Sequence, residues 1–368
     1  MDAPLFLPVP SPLLTHPPPF SPVRLLIAPP RHLPIPNHPT STMLGSLALL
    51  APALAGFLPA VAAAATPREV APRTITPLVC LVFTDVVSPW WVNKCKDFVD
   101  LVVIDLRDGA DYATAHIPGS VSAPFTPVSA WSSAGNENLI LNIPAAPDLF
   151  ATLTSLGVSN PNPATKIVLV NGVDAVGAFS QAASPRVATT LKTAGISDGR
   201  VAILDGGFPA WAAEFDTTTV VPTVVPRTFT STEDRSFLVN ISYVAANINR
   251  KSEGIYLIDG RDTSVYNGSV MESWALKPGH IPSAVSLPAV KIWNSDGSFK
   301  NPLQLLALVR SVVGFNVGRT YGQIIVYCGV GGYASSWYFV LTRILGFENV
   351  VFYDGSAQEW SQYYDMEL

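Results

Sequence analysis

Short β-branched apolar runs alternate along this chain with stretches whose apolar positions recur every three to four residues. The runs VIDLR, SVSAPF, IVLV and VAILD lie between residues 103 and 205, and YLIDGR, AVSLPA, IIVY and VVFYD between 256 and 354. Their length and β-branched content predict strands. PRVATTLKTAG and ASSWYFVLTRILG predict helices. In the latter Trp337, Val340, Leu341, Ile344 and Leu345 share one face, and Gly346 suits a C-terminal cap. Strands alternating with helices predict mainly parallel sheets flanked by helices, an α/β class. PLVCLVF, around Cys80, predicts a further strand, and the segment leading to Cys95 an amphipathic helix.

The pattern occurs twice. LVVIDLRDGADYATAHIPGSVSAPF (101–125) is answered by IYLIDGRDTSVYNGSVMESWALKPGHIPSAVSLPA (255–289), which is longer between its Asp-x-Arg and its His-Ile-Pro. KIVLVNGVDAVGAF answers QIIVYCGVGGYASS, and VAILDGGFPAWAAE answers VVFYDGSAQEWSQ. Blocks recurring in one order mark a duplicated unit. The expected organisation is a leader over 1–75, one α/β domain over 76–214, a Thr- and Pro-rich linker over 215–236, and a second domain over 237–368.

The leader is rich in Pro, Leu, Ser and His up to residue 42, a composition expected to be disordered. From Leu44 to Leu58 it is apolar, and small residues follow around Ala62–Ala65. That resembles a signal peptide with its cleavage region and predicts export to a periplasmic or extracellular space, with import into an organelle as the alternative. Pro52 and Pro59 argue against a stable membrane span in the mature chain. Met1 and Met43 are both candidate starts. Net charge is −5 with no basic run, which argues against a nucleic-acid surface. Five scattered histidines and no Cys-x-x-Cys give no metal site and call for no cofactor. Cys80 and Cys95 have a spacing that leaves their pairing open.

The remaining cysteine, Cys328, stands at the end of IIVY and is followed by Gly329, Val330, Gly331, Gly332 and Tyr333, then by a helical stretch. A glycine-rich turn before a helix N-terminus can aim successive N–H groups at one anion, and such a terminus favours a thiolate. The expected role of residues 329–333 is to hold a charged sulfur on Cys328 with main-chain dipoles. His116 and His280 occupy the same place in both units, so they are expected to bond backbone in a turn. The paired Asp105–Arg107 and Asp259–Arg261 are likewise expected to be structural, with Arg261 the better functional candidate.

The double set of Asp-x-Arg, His-Ile-Pro, Asp-Gly and Trp blocks, with the strand–Cys–glycine loop–helix at 324–346, resembles the tandem-domain rhodanese sulfurtransferases over nearly all of the chain after residue 76. The resemblance implies an inactive first domain, here with Asn171 in the cysteine position, and a catalytic second domain. It implies transfer of a sulfane sulfur from a small donor, thiosulfate-like or 3-mercaptopyruvate-like, through a persulfide on Cys328. The acceptor would be cyanide, a small thiol or a protein thiol. The loop departs from the family: it lacks the basic residues of thiosulfate-preferring members and the Ser and Thr of the Cys-Gly-Ser-Gly-Val-Thr pattern. Val265 stands where the family tends to carry a substrate-binding arginine. Arg186 and Arg261 remain as possible substrate contacts. A phosphatase of the same fold would need an arginine six residues after the cysteine, where Ala334 stands. A sulfur-relay or binding module with little turnover is the alternative.

Overall fold

A computed structural model of the chain describes residues 77–97, 100–127, 129–134, 139–160 and 165–368. The leader expected over 1–75, with its export signal, lies outside the described residues. Among the described residues no helix is long and apolar enough to cross a membrane.

The first half builds β1 (Val86–Val87), α1 (Pro89–Cys95), β2 (Leu101–Asp105), α2 (Gly109–Thr114), β3 (Val121–Ser122), α3 (Ala146–Ser155), β4 (Lys166–Val170), α4 (Phe179–Thr193), β5 (Val201–Leu204) and α5 (Gly207–Glu214). The second half repeats the series as β6 (Leu238–Val239), α6 (Ile241–Asn247), β7 (Ile255–Asp259), α7 (Thr263–Tyr266), β8 (Val285–Ser286), α8 (Pro302–Val313), β9 (Gln323–Tyr327), α9 (Gly332–Phe339), β10 (Val350–Tyr353) and α10 (Ser356–Tyr363). Each half forms a five-stranded sheet, ordered β1-β5-β4-β2-β3 and β6-β10-β9-β7-β8. Every pairing between these strands is parallel. The repeat in sequence is thus a repeat in topology, and β4 and β9 hold the same central place.

Side chains alternate across each strand, so each sheet serves two cores. In the first sheet Val103, Val168, Val170 and Leu204 pack with Trp91 and Trp211 on one face. Ile104, Ile167, Leu169 and Ile203 face the other way, toward Val187 and Leu191 of α4. That second core also takes in Val330 and Phe339, while the second domain's core takes in Ile143, Ala178 and Ala182. The inner faces therefore merge where α4 packs against α9, and α9 is buried on all sides, as a helix caught between two cores must be.

Two local expectations are corrected. PLVCLVF does not form a strand: Leu78–Leu81 is a 3-10 turn with Leu78 and Leu81 exposed, and Cys80 is turned inward and disulfide-bonded to Cys95. The β-branched run is read correctly as apolar, but the bond to α1 sets its backbone. The helix after Cys328 is α only to Phe339 and continues as a π turn over Val340–Ile344 before Gly346, at φ +69°. Residues 215–236 form no helix and run as a strap along the first domain. Thr218 pairs with His116, Arg227 meets Asp100 at 2.8 Å, and Phe229 is buried.

Candidate active site

β9 ends with Tyr327, and Cys328 begins the loop at the carboxyl end of the central strand, where ligands of open parallel sheets gather. The loop is pinned from beneath by the start of α10. Cys328 donates its N–H to Ser356 Oγ (3.3 Å), and its carbonyl accepts from Ala357 (2.9 Å). The Gly329 carbonyl accepts from Gln358 (3.0 Å). Ser356 holds φ +54°, an uncommon conformation for a residue with a side chain, and gives its hydroxyl to the Tyr353 carbonyl at 3.0 Å.

Above this floor the Gly331 N–H points at the Cys328 sulfur from 3.1 Å, and the amides of Val330 and Ala334 also act on it. Main-chain amides thus converge on the sulfur from Val330, Gly331 and Ala334, rather than from the whole of 329–333. Gly331 stands at φ +92°, and a Cβ there would meet Arg186 Nη1 at 2.9 Å. At Gly329 a Cβ would meet Glu272 Oε2 at 2.6 Å and the Trp274 indole nitrogen at 2.8 Å. Gly331 lets the loop turn, and the bare Cα of Gly329 lets Glu272 and Trp274 come close on the other side. The ionisation state is more than the nest alone dictates. Burial pushes the Cys328 thiol up, the amides of Ala334, Val330 and Gly331 pull it down, and Glu272 adds to the rise. The net direction is upward, opposite to the effect the loop was expected to have, because the sulfur is almost wholly buried.

A cavity of about 100 Å³ opens over the sulfur, lined by Cys328, Gly329, Val330, Gly332, Tyr333, Glu272, Trp274 and, from the first domain, Phe179. Burial, with Asp262, Cys328, Asp174 and Glu272 nearby, pushes the Tyr333 phenol up to about 12, so it stays a neutral hydroxyl at ordinary pH. Glu272 and Trp274 were missed in the sequence. They come from the longer stretch between Arg261 and His280, which is tied down where Leu276 donates to Ser361 Oγ at 3.1 Å. The signal was that extra length. Phe179 begins α4 where the extended first-domain loop ends, and the turn there is held by Asp174 accepting from Ser180 N (2.8 Å) and Oγ (2.6 Å).

Arg186 and Arg261 do not line this cavity. Arg261 is buried, with Nη2 on Asp259 at 2.6 Å and on the Gly279 carbonyl at 2.8 Å, and Nη1 lies 3.6 Å from Glu272. Burial opposes its charge, but Asp259 holds the guanidinium above its ordinary range. Arg107 repeats the arrangement, on Asp105 at 2.6 Å and the Ala115 carbonyl at 2.7 Å. Arg186 is also buried, 2.7 Å from Asp354 and bonded to the Leu141 carbonyl. It reaches the site from behind, through Gly331. His116 and His280 sit as the repeat predicts, with Nδ1 on the carbonyls of Tyr112 (2.8 Å) and Tyr266 (2.9 Å), each stacked on that tyrosine ring. Val265 is buried in α7. Asn171, at the end of β4, turns its amide onto Gly172 O (2.7 Å) and accepts from Ser184 Oγ (2.8 Å). No cluster of metal-ligating side chains occurs among the described residues.

Two repeated parallel-sheet domains, one with a cysteine set among converging amides at the end of its central strand, define a class of tandem α/β proteins. Within it, the profile of the rhodanese-like domain matches residues 88–214 and 240–363, and the chain belongs to that family. A Mycobacterium leprae relative, provisionally named thiosulfate sulfurtransferase, is 33% identical over 174 residues, which cover 45% of this chain and 58% of that one. A protein of Thermus thermophilus named sulfur carrier protein TtuD is 29% identical over 288 residues, 74% of this chain and 92% of that one. Among solved structures, SseA of Escherichia coli, described as a 3-mercaptopyruvate sulfotransferase of rhodanese fold, superposes with a TM-score of 0.60 at 25% identity, covering 74% of this chain and 98% of that one.

Proposed function

We propose that this chain is a sulfurtransferase that carries sulfur on Cys328. The observation that carries the reading is the Gly331 N–H held 3.1 Å from the Cys328 sulfur beneath a small cavity. The names of the relatives point the same way. The Cys328 thiolate attacks the outer sulfur of a donor, the bond from that sulfur to its carrier breaks, and the carrier leaves with the electron pair. From thiosulfate the carrier is sulfite; from 3-mercaptopyruvate it is the pyruvate enolate, which then takes a proton. The product on the enzyme is a persulfide, whose terminal sulfur is an anion suited to the amide nest. An acceptor thiolate or cyanide attacks that sulfur and returns Cys328 as thiolate. No side-chain base is required once the thiol has ionised.

Asn171 offers no nucleophile, so we assign catalysis to the second domain alone, and the first domain contributes Phe179 and the buried Arg186. A sulfur-relay role with little turnover is the second reading, favoured by the absence of a positively charged side chain among the residues lining the cavity. The export signal read over 44–65 is retained as a proposal. The Cys80–Cys95 bond supports it, since such bonds persist in oxidising compartments.

The test is direct. Purified protein incubated with a panel of donors, the anions thiosulfate, 3-mercaptopyruvate and inorganic polysulfide and the amine-bearing cysteamine persulfide, is expected to gain the mass of one sulfur atom on Cys328 from at least one of them. It should lose that mass on addition of cyanide or dithiothreitol, with no gain in Cys328→Ser. An adduct without turnover would favour the relay, and no adduct from any donor on a folded protein would overturn both readings.

A further inference from the structure

The longer second-domain stretch between Arg261 and His280 makes the cavity over Cys328 unlike anything in the first domain. It delivers a carboxyl group and an indole to the face of the loop, so close that a side chain at 329 would have to displace them. Glu272 Oε2 is buried without a close hydrogen bond of its own, and the carboxyl group leans on the Trp274 indole and on Arg261 beside it. Its nearest cation, Arg261 at 3.6 Å, is already matched by Asp259. One guanidinium thus faces two carboxyl groups; burial pushes the Glu272 carboxyl up and Arg261 pulls it down, so the pair with Arg261 and Asp259 carries a net negative charge once Glu272 has ionised. Arg186, the other cation near the loop, is neutralised by Asp354. Burial pushes the Tyr333 phenol up, and Asp262, Asp174 and Glu272 stand near enough to add to the rise. Around this negative pole are three aromatic side chains, Trp274, Tyr333 and Phe179, and two of them, Trp274 and Phe179, are well exposed at the mouth.

An aromatic-walled cavity with a carboxylate and no free cation repels a dianion and attracts a positive charge, through Coulomb attraction and the negative faces of the rings. We infer that Glu272, with Trp274, Tyr333 and Phe179, makes the pocket over Cys328 selective for small sulfur compounds that carry a positive charge, such as aminothiols and their persulfides. The inference rests on Cys328 being the sulfur-handling residue and names the substrate class it serves. The buried Glu272 oxygen receives the cationic end of the compound, while its sulfur lies at Cys328. An anionic carrier has no counter-ion there.

The test uses three reagents that mix with a thiolate in one step and need no turnover: 2-(trimethylammonio)ethyl, methyl and 2-sulfonatoethyl methanethiosulfonate. In each, the thiolate forms a disulfide to the reagent's sulfenyl sulfur and methanesulfinate leaves with the electron pair. Rates at Cys328 are divided by the rates of the same reagents with 2-mercaptoethanol, which removes their intrinsic differences. The cationic reagent is expected to outpace the anionic one by about tenfold or more, an advantage that shrinks with salt. Glu272→Gln is expected to bring the ratio down several-fold toward unity and Glu272→Arg to invert it, with thermal melting showing that the variants are folded. A wild-type ratio within twofold of unity, a ratio unmoved by salt and by Glu272→Gln, or a Cys328 inert to all three reagents overturns the inference. Should a variant not fold, the wild-type ratio and its salt dependence decide alone. A charge-selective Cys328 that never forms a persulfide would sink the sulfurtransferase reading and leave this one standing. Persulfide formation without charge selectivity would do the reverse.

Discussion

At the level of single residues, two effects of opposite sign meet on Cys328. The amides of Gly331, Val330 and Ala334 favour its thiolate, while burial, with Glu272 behind it, favours the thiol, and the thiol wins in the free protein. For a thiol a raised pKa means that the reactive form is populated later as pH rises. Alkylation of Cys328 by iodoacetamide is therefore expected to keep increasing beyond about pH 8.5, where an ordinary cysteine is half ionised. Glu272→Gln removes one of the two raising influences and should move the midpoint down. A midpoint below that of free cysteine, followed by mass spectrometry across pH, would show that the amides outweigh burial after all. Gly331→Ala attacks the opposing influence. The residue sits at φ +92° with Arg186 Nη1 behind it, so a methyl group both strains the backbone, by about 1–2 kcal/mol, and displaces the amide from the sulfur. Its alkylation midpoint is expected to rise and persulfide formation to fall by at least about tenfold, one such factor being 1.36 kcal/mol.

At the level of elements, the sequence was most legible where burial decides everything. Ile324–Tyr327 and Ile167–Val170 are buried on both faces of their sheets, so they read as strands, and the glycine loop after one of them drew attention to Cys328. The repeated Asp-x-Arg and His-Ile-Pro blocks foretold the turns that Arg107, Arg261, His116 and His280 now tie. What stayed hidden depends on contacts across space. Glu272 and Trp274 sit in a stretch without regular structure, and no local pattern tells an active-site flap from a surface insertion. The PLVCLVF stretch looked like a strand because apolar residues allow one. Its conformation is fixed instead by the bond from Cys80 to Cys95 and by the Trp91 indole, which donates to the carbonyls of Val79 (3.1 Å) and Val82 (3.0 Å). That bond closes a separation of 15 residues, a loop for which chain entropy gives about 3 kcal/mol. Replacing both cysteines by serine is expected to lower first-domain stability by up to that amount in denaturant titrations. The site lies in the other domain, so Cys328 reactivity should be unchanged in the folded protein.

Across the whole molecule the duplication works as a pair of mutual latches. Asp205 of the first domain accepts the Phe299 N–H of the second at 2.9 Å, and Asp354 of the second accepts the Ile143 N–H of the first at 2.9 Å. The two aspartates open the equivalent Asp-Gly blocks, so a motif that marked the repeat in sequence also joins the halves. The latches are not equal in consequence. Asp354 also neutralises the wholly buried Arg186, which presses on Gly331, whereas the interdomain contacts of Arg343, with Asp85 and with the carbonyls of Asp198 (2.6 Å) and Val201 (2.8 Å), lie away from the cavity. Removing one partner of a buried pair leaves an uncompensated charge and destabilises by about 3–5 kcal/mol. Asp354→Ala is thus expected to lower stability by that order and to disturb the amide nest, cutting Cys328 reactivity in whatever fraction remains folded. Arg343→Met removes contacts beside the partly exposed Asp85, so its effect should be smaller, about 1 kcal/mol after solvent screening. Because none of its partners touches the loop at 328–333, its Cys328 alkylation rate should match wild type. Urea unfolding and alkylation measured on the two variants separate an interface that merely holds the domains together from one that also shapes the site. Equal loss of reactivity in both would show that any loosening of the interface disables Cys328, and that the Arg186–Asp354 pair has no influence on the loop beyond holding the domains together.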